Sequence, residues 1–315
     1  MIKKIFSAIQ QFFFAPLDSL PLAFFRITVG GFGLLQTVFL ASSWLNLYGV
    51  NGYVEWFIGH ELFSIKELPS IVNLANVLLP FGFQDNTSVY IITGIYIGSL
   101  LGLTLGWRTR WMSVIAWLSH FTICNTAMEF GYGVETFMHI GLFYLMFSPC
   151  AEYLSLDAKA QRTGQNKVSE QARLMIRVLQ IHLCLVYFNA GIAKVQGHDW
   201  TSGEAVWFIL GNTNYSQYNL QFLADIPLFT KCLSWWTLAI ETFFPFFMFW
   251  KPTRLFWWVN ILILHLGIAL FMGLYMFGVI MIIHNVAAFG WSVFPKGWQI
   301  FLSKNEAVIA NERSE

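Results

Sequence analysis

The sequence predicts an all-α polytopic membrane protein: a bundle of about eight transmembrane helices with interfacial or re-entrant outer segments. Composition is the first reason. Of 315 residues, 57% are hydrophobic and 11% are charged, whereas a soluble domain carries about 25% charged residues. So few charges cannot cover a water-facing surface, so lipid must be the solvent. The second reason is eight apolar stretches, at 21–42, 88–106, 111–127, 136–150, 174–194, 227–250, 255–273 and 275–294. A span requires ~20 residues, and several of these stretches are short of that. The third is where the basic residues fall. With the N-terminus inside, Lys3, Lys4, Arg108, Arg110, Lys159, Arg162, Lys167, Arg173, Lys251, Arg254, Lys296, Lys304 and Arg313 are all cytoplasmic. The outer segments 43–87, 128–135 and 195–226 hold only Lys66, as the positive-inside rule requires.

In chain order, residues 1–15 come first. Ile2, Ile5, Phe6, Ile9, Phe12 and Phe13 recur at helical spacing beside Lys3 and Lys4, while Gln10 and Gln11 interrupt the run. That pattern predicts a retained interfacial amphipathic helix rather than a signal peptide. A single transmembrane domain follows over 16–295, then a polar cytoplasmic tail over 296–315. Gly30, Gly31 and Gly33 in the first span follow no strand, so they are not a nucleotide loop. The second span reads Gly94-xxx-Gly98-xxx-Gly102-xxx-Gly106, a bare stripe expected to admit a neighbouring helix closely. The outer segments 43–87 and 195–226 are rich in aromatic residues, Tyr215 among them, and are expected to fold back into the interface or cap a cavity. Segment 151–172 is polar and is expected to be the main cytoplasmic loop.

A net charge of +1 excludes the clustered basic surface that nucleic-acid binding needs. Cys124, Cys150, Cys184 and Cys232 form no CxxC pair, so neither a disulfide framework nor a zinc site is expected. No metal is expected elsewhere. Glu135 and His139 stand at i and i+4, but two ligands are too few for a metal; a polar pair or an acid–base role remains.

Ionisable residues inside a membrane are functional candidates by default. Here they are His120, His182, Glu241, His265 and His284 near mid-span, with Glu135, His139 and Lys194 toward the outer ends. Glu241 and His265 are expected to approach one another or to line a shared cavity. Gln180, Tyr187 and Lys194 recur every seven residues and so share a helix face. Lys194 has two readings. In an apolar site it can act as a base; at a span's end it can snorkel to the headgroups.

Four segments carry a family resemblance. They are Pro16-Leu-Asp-Ser-Leu-Pro-Leu-Ala-Phe-Phe-Arg26, Leu154-Ser-Leu-Asp157, Val186-Tyr-Phe-Asn-Ala-Gly-Ile-Ala-Lys194 followed by Trp200 and Gly203, and Glu241-Thr-Phe-Phe-Pro245 followed by His265 and the 271–277 run. In order and spacing the chain resembles the vitamin K-dependent γ-carboxylase-like, or HTTM, membrane family. The resemblance implies a lipid-soluble quinol of vitamin K type, reduced menaquinone or phylloquinone, with Lys194 as the base that deprotonates it. It implies Glu135 and His139 as further catalytic residues, and Tyr187, Trp200, Glu241 and His265 around the quinol. Oxygen converts that quinol to an epoxide in the carboxylase, producing the strong base for γ-carboxylation. The implied partners are membrane lipids and a secreted peptide or protein. Two departures separate this chain from the carboxylase. It has no large lumenal docking domain within its 315 residues, and Glu135 stands where the carboxylase has an assisting histidine. The alternative is a non-enzymatic membrane protein of the same fold, assisting peptide maturation, export or partner binding.

Overall fold

The computed structural model describes residues 1–160, 168–212 and 216–294. The expected tail at 296–315, Tyr215, and the part of the polar loop at 161–167 lie outside the described residues. The chain divides into two compact units, Met1–Met175 and Ile176–Glu315.

In the first unit, α1 (Ile2–Phe14) leaves Ile2, Ile5, Phe6 and Ile9 exposed. Strand β1 (Leu17–Asp18) pairs antiparallel with β2 (Val168–Ser169). Helix α2 (Leu20–Phe39) starts on Pro21, whose fixed φ suits a first turn. The aromatic segment after it folds into three short helices, α3 (Trp44–Tyr48), α4 (Trp56–Leu62) and α5 (Ile71–Leu78). Then come α6 (Asp85–Leu105), α7 (Thr109–Thr126), α8 (Gly133–Phe147) and the short α9 (Leu156–Ala160). Helix α6 packs against α2, α5 and α7, and α8 against α7 and α2. Asn125 near the end of α7 ties the aromatic segment down. Its Oδ1 accepts from the Ile65 backbone at 3.0 Å, and its Nδ2 donates to the carbonyls of Ile65, Leu68 and Pro69.

The long α10 (Glu170–Gln196) leads into the second unit. There the outer segment forms α11 (His198–Ser202) and α12 (Ala205–Gly211), followed by a 3₁₀ turn over Gln221–Asp225. Helices α13 (Pro227–Met248), α14 (Lys251–Met272) and α15 (Tyr275–Asn285) come next, with a π-helical stretch Val286–Gly290 and α16 (Trp291–Val293). Helix α14 packs on α13 and α15. All eight predicted spans therefore coincide with helix. Among the described residues five segments are long and apolar enough to cross a membrane: Leu20–Phe39, Asn86–Leu105, Glu170–Gln196, Lys251–Met272 and Tyr275–Val293.

The glycine stripe on α6 admits neighbours over half of its length. A Cβ on Gly94 or Gly98 would meet nothing within 4 Å, so this half of the stripe faces open space. The other half is tight: a Cβ on Gly102 would meet the Met112 side chain of α7 at 2.7 Å and one on Gly106 the Ser155 backbone at 2.8 Å, and two glycines of α2 are tight as well. A Cβ on Gly30 of α2 would lie 2.4 Å from Thr104 Oγ1 of α6, and one on Gly33 would strike Met138 and Leu100 side chains. Gly106 has φ +71° and ends α6 in the left-handed conformation that favours glycine.

The loop beyond α6 is fixed by two charges. Arg26 is completely buried, and its guanidinium donates to five carbonyls: Leu103 and Thr104 at the end of α6 (both 2.7 Å), Cys150 (3.1 Å), Tyr153 (3.3 Å) and Leu154 (2.6 Å). The last carbonyls of a helix lack intrahelical donors and carry its negative dipole end, so a cation fits there. Asp157 does the converse at the start of α7, accepting from the Arg108 and Thr109 backbone N–H groups, both at 2.8 Å, and from the Thr109 hydroxyl at 2.7 Å.

Candidate functional site

In the second unit Lys194 and Glu241 meet because two helices approach closely. Gly191 lies one turn before Lys194 on α10. A Cβ there would sit 2.6 Å from the Thr242 backbone nitrogen of α13 and 2.7 Å from its Cα. Only glycine admits that approach, and it sets Lys194, three residues on, beside Glu241, the residue before Thr242. Lys194 Nζ then donates to Glu241 Oε2 at 2.5 Å. The Glu241 side chain is 9% exposed and that of Lys194 is 22% exposed, so the carboxylate is enclosed while the amine reaches the edge. Pro245 lies inside α13, four residues after Glu241. Having no N–H, it leaves the Glu241 carbonyl without its usual helical donor.

Trp200 of α11 caps the pair, its ring centroid 5.3 Å from Lys194 Nζ. That distance allows a cation–π attraction. Gly203, at φ +87°, ends α11 against Lys231, where a Cβ would meet the Lys231 side chain at 2.9 Å.

Tyr187, two turns earlier on α10, is buried in a polar network. Its hydroxyl lies 2.7 Å from His265 Nε2 on α14 and accepts from Asn285 Nδ2 at 2.6 Å. Asn285 also donates to the Met281 carbonyl, just before the π-helical stretch. Because Asn285 supplies one hydrogen to the Tyr187 oxygen, the hydroxyl hydrogen is free to go to His265 Nε2. In the neutral ring Nδ1 then carries the proton, and that atom has no hydrogen-bond partner. Gln180, one heptad before Tyr187, donates to the Ala288 carbonyl at 2.6 Å. Glu241 and His265 form no hydrogen bond with one another: Glu241 bonds Lys194, and His265 bonds Tyr187. A carboxylate finds more in an ammonium than in a ring whose Nε2 is already engaged.

Glu135 and His139 belong to the first unit. Glu135 Oε1 accepts from Gln36 Nε2 of α2, and Oε2 from the Tyr132 backbone N–H at the start of α8, each at 3.0 Å. His139 does not bond Glu135; its Nδ1 lies 3.4 Å from His120 Nδ1 on α7. Glu135 also lines a recess of about 280 Å³, mouth included, with Gln36, Trp44, Tyr48, Tyr96 and His120. Among the described residues no group of three or more His, Cys, Asp or Glu is placed to hold a metal ion.

Sequence reasoning passed over Asn285, Gln36 and Tyr96, although each is a polar side chain in an apolar helix. Heptad spacing with Lys194 singles out Gln180 and Tyr187, but Asn285, Gln36 and Tyr96 share no such pattern, although a polar group left unpaired in lipid is costly whatever its type.

The HTTM domain family model matches residues 14–291. The chain is 21% identical over 231 residues to the sporulation-delaying protein SdpB of Bacillus subtilis, covering 70% of this chain and 65% of SdpB. It is 22% identical over 224 residues to the uncharacterized protein YitO of Bacillus subtilis, covering 64% of this chain and 70% of YitO. The match thus spans slightly less than two thirds of SdpB. No solved structure matches the chain.

Proposed function

The chain belongs to the HTTM domain family, as an integral membrane protein related to the vitamin K-dependent carboxylase-like group, and on that premise we propose that it oxidises a lipid-soluble quinol, with molecular oxygen as the electron acceptor and Lys194 as the proton acceptor. The observation that carries this reading is the Lys194–Glu241 pair, with its amine at the edge of the unit and its carboxylate enclosed. An ammonium cannot take up a proton. Glu241 Oε2, at 2.5 Å, can hold the proton that Lys194 gives up, leaving Nζ as the amine that accepts one.

The side chains present suit a planar ring bearing hydroxyls. Trp200 offers an aromatic face beside Lys194, and the buried His265 Nδ1 has no protein partner. A quinol of vitamin K type supplies, when bound, a weakly acidic ring hydroxyl and a two-electron couple. Trp200 shields Nζ from water, and the Asn285–Tyr187 chain holds the His265 ring in one orientation. In this reading the chain crosses the membrane eight times, with both termini cytoplasmic and Lys194 toward the outer side, since the basic residues divide that way. A secreted peptide or protein is the modified partner. Single cysteines in a cysteine-free background test the orientation: Thr201→Cys should react with an impermeant thiol reagent in intact cells and Ala160→Cys should not.

The same ion pair favours a second reading, in which Lys194 is a structural cation in a non-enzymatic protein that assists peptide maturation or export. Two substitutions separate them. Lys194→Arg keeps the charge and the carboxylate partner but cannot act as a base near neutral pH, its pKa exceeding about 12. In purified protein with reduced menaquinone, Lys194→Arg should abolish oxygen-dependent quinol consumption while unfolding near the wild-type temperature. Wild-type turnover in Lys194→Arg would overturn the catalytic role. Lys194→Ala leaves Glu241 unpaired and should lose both activity and stability.

A further inference from the structure

The quinol reading leaves the recess of the first unit without a task. Its mouth and interior lie among α2, α3, α6, α7 and α8, and two features of its lining call for a ligand. Glu135 is its only carboxylate, and the lining contains no lysine or arginine. Among the described residues Glu135 has no ion-pair partner; its two hydrogen bonds come from an amide side chain and a backbone N–H. Those bonds fix the carboxylate in place without neutralising it, and each oxygen retains capacity to accept again. Independently, Tyr96, which lines the same recess, is 3% exposed, and its hydroxyl has no hydrogen-bond partner. A buried phenol in that state is waiting for a donor or acceptor from outside the protein.

The walls narrow the chemistry. Trp44 and Tyr48 line the recess with ring centroids 4.7 Å apart, and Tyr96 lies beside His120 at 5.7 Å. Trp44 is held by its indole N–H, which donates to Thr93 Oγ1 at 2.8 Å. Aromatic faces around a fixed carboxylate attract an organic cation. An unpartnered phenol oxygen adds preference for a cation with N–H donors over a quaternary one. The enclosed part of the recess has room for about one water-sized group, so the ammonium itself enters it and its carbon chain stays at the mouth.

We propose that the recess of the first unit binds a primary ammonium group, held by the Glu135 carboxylate and the Tyr96 hydroxyl among the rings of Trp44 and Tyr48. The three N–H donors of the ammonium are met by a carboxylate oxygen, the phenol oxygen and an aromatic face. The site uses neither Lys194 nor its partners, and it gives Glu135 a binding role in place of the catalytic one that the family resemblance implies. The ammonium belongs to a free alkylamine or to an ethanolamine lipid head group, which present the same chemistry.

The test uses the full-length protein in detergent, with n-butylammonium chloride as probe and n-butanol as its neutral control. Two arms identify the source: calorimetric titration of the free amine, and mass spectrometry of co-purified lipid before and after n-butylammonium is added. Saturable binding of n-butylammonium, or its displacement of a co-purified ethanolamine lipid, supports the site. Glu135→Gln keeps an acceptor for Gln36 and removes the charge, and should weaken binding roughly tenfold to a hundredfold. Tyr96→Phe should weaken it less, by roughly tenfold. Thermal unfolding of both variants verifies that they are folded. Equal binding of n-butanol, wild-type affinity in folded Glu135→Gln, or no amine bound or displaced in the wild type would overturn the proposal. Failure here leaves quinol consumption by the Lys194 site untouched, so the two ideas fail separately.

Discussion

Arg26 in the first unit and Lys194 in the second are both basic side chains on long apolar helices, yet they place their donors differently. All five donor positions of Arg26 go to backbone carbonyls, and the side chain is completely buried. Lys194 has one strong partner, Glu241, and reaches the edge of its unit beneath Trp200. A guanidinium satisfied on every side has no hydrogen to offer a substrate and cannot release a proton. An amine with one partner and two remaining donors can do both. Burial of charge alone therefore does not mark a site; what marks one is charge whose hydrogen-bonding capacity is left incomplete.

The largest expected effect falls on Arg26. Arg26→Ala removes five charge-assisted bonds at once and exposes the end of α6 to unsatisfied carbonyls. A loss on the order of 4 kcal/mol is expected in detergent unfolding, large enough that expression itself should fall. Arg26→Lys should be intermediate, because an ammonium has three donors for five carbonyls. A variant of wild-type stability would mean that those carbonyls find other donors, and the contrast with Lys194 would lose its basis.

The contrast also shows how much of the molecule was legible in the sequence. Helix positions were, because eight apolar stretches have few alternatives to helix in lipid. Of the four segments that carried the family resemblance, two turn out to build the fold rather than the site. Pro16–Arg26 delivers the guanidinium, and Leu154–Asp157 delivers a carbonyl to it and the cap of α7. The other two bring Lys194, Tyr187, Glu241 and His265 into the second unit together. Which polar residue partners which was not legible. Glu241 and Lys194 are 47 positions apart, and only the close approach at Gly191 decides that they meet. Nor did the glycine spacing on α6 reveal which glycines are in contact, because a period of four fixes a helix face without fixing what that face meets.

A medium effect sharpens that point. Gly191→Ala forces a methyl against the Thr242 backbone and should cost about 1–3 kcal/mol. It should also push Lys194 from Glu241 and lower quinol consumption more than stability accounts for. Gly98→Ala, on the open half of the glycine stripe, should be neutral or stabilise by up to about 1 kcal/mol through helix propensity. Unfolding of both purified variants checks the pair. If Gly98→Ala is the more damaging of the two, the open face of α6 is covered by a partner in the membrane.

The smallest effect concerns Asp157, the anion whose charge is held by N–H groups as that of Arg26 is held by carbonyls. Burial pushes its carboxyl upward, but hydrogen bonds from the Thr109 backbone and hydroxyl and from the Arg108 backbone outweigh that, helped by the charge of Arg26. The group is therefore held below the usual carboxylate range. A carboxyl depressed in the folded state contributes stability that is fully present above its unfolded pKa of about 3.9 and fades as pH falls through the lower folded value. Asp157→Asn retains an acceptor but loses the charge, so it should cost about 0.5–1 kcal/mol near neutral pH, as a weakened helix cap does. The gap between wild type and Asp157→Asn should then narrow as the pH of unfolding is lowered below about 4. A gap that stays constant across that range would mean that the cap acts through its geometry alone. The symmetry between carbonyls around Arg26 and N–H groups around Asp157 would then be one of shape and not of charge.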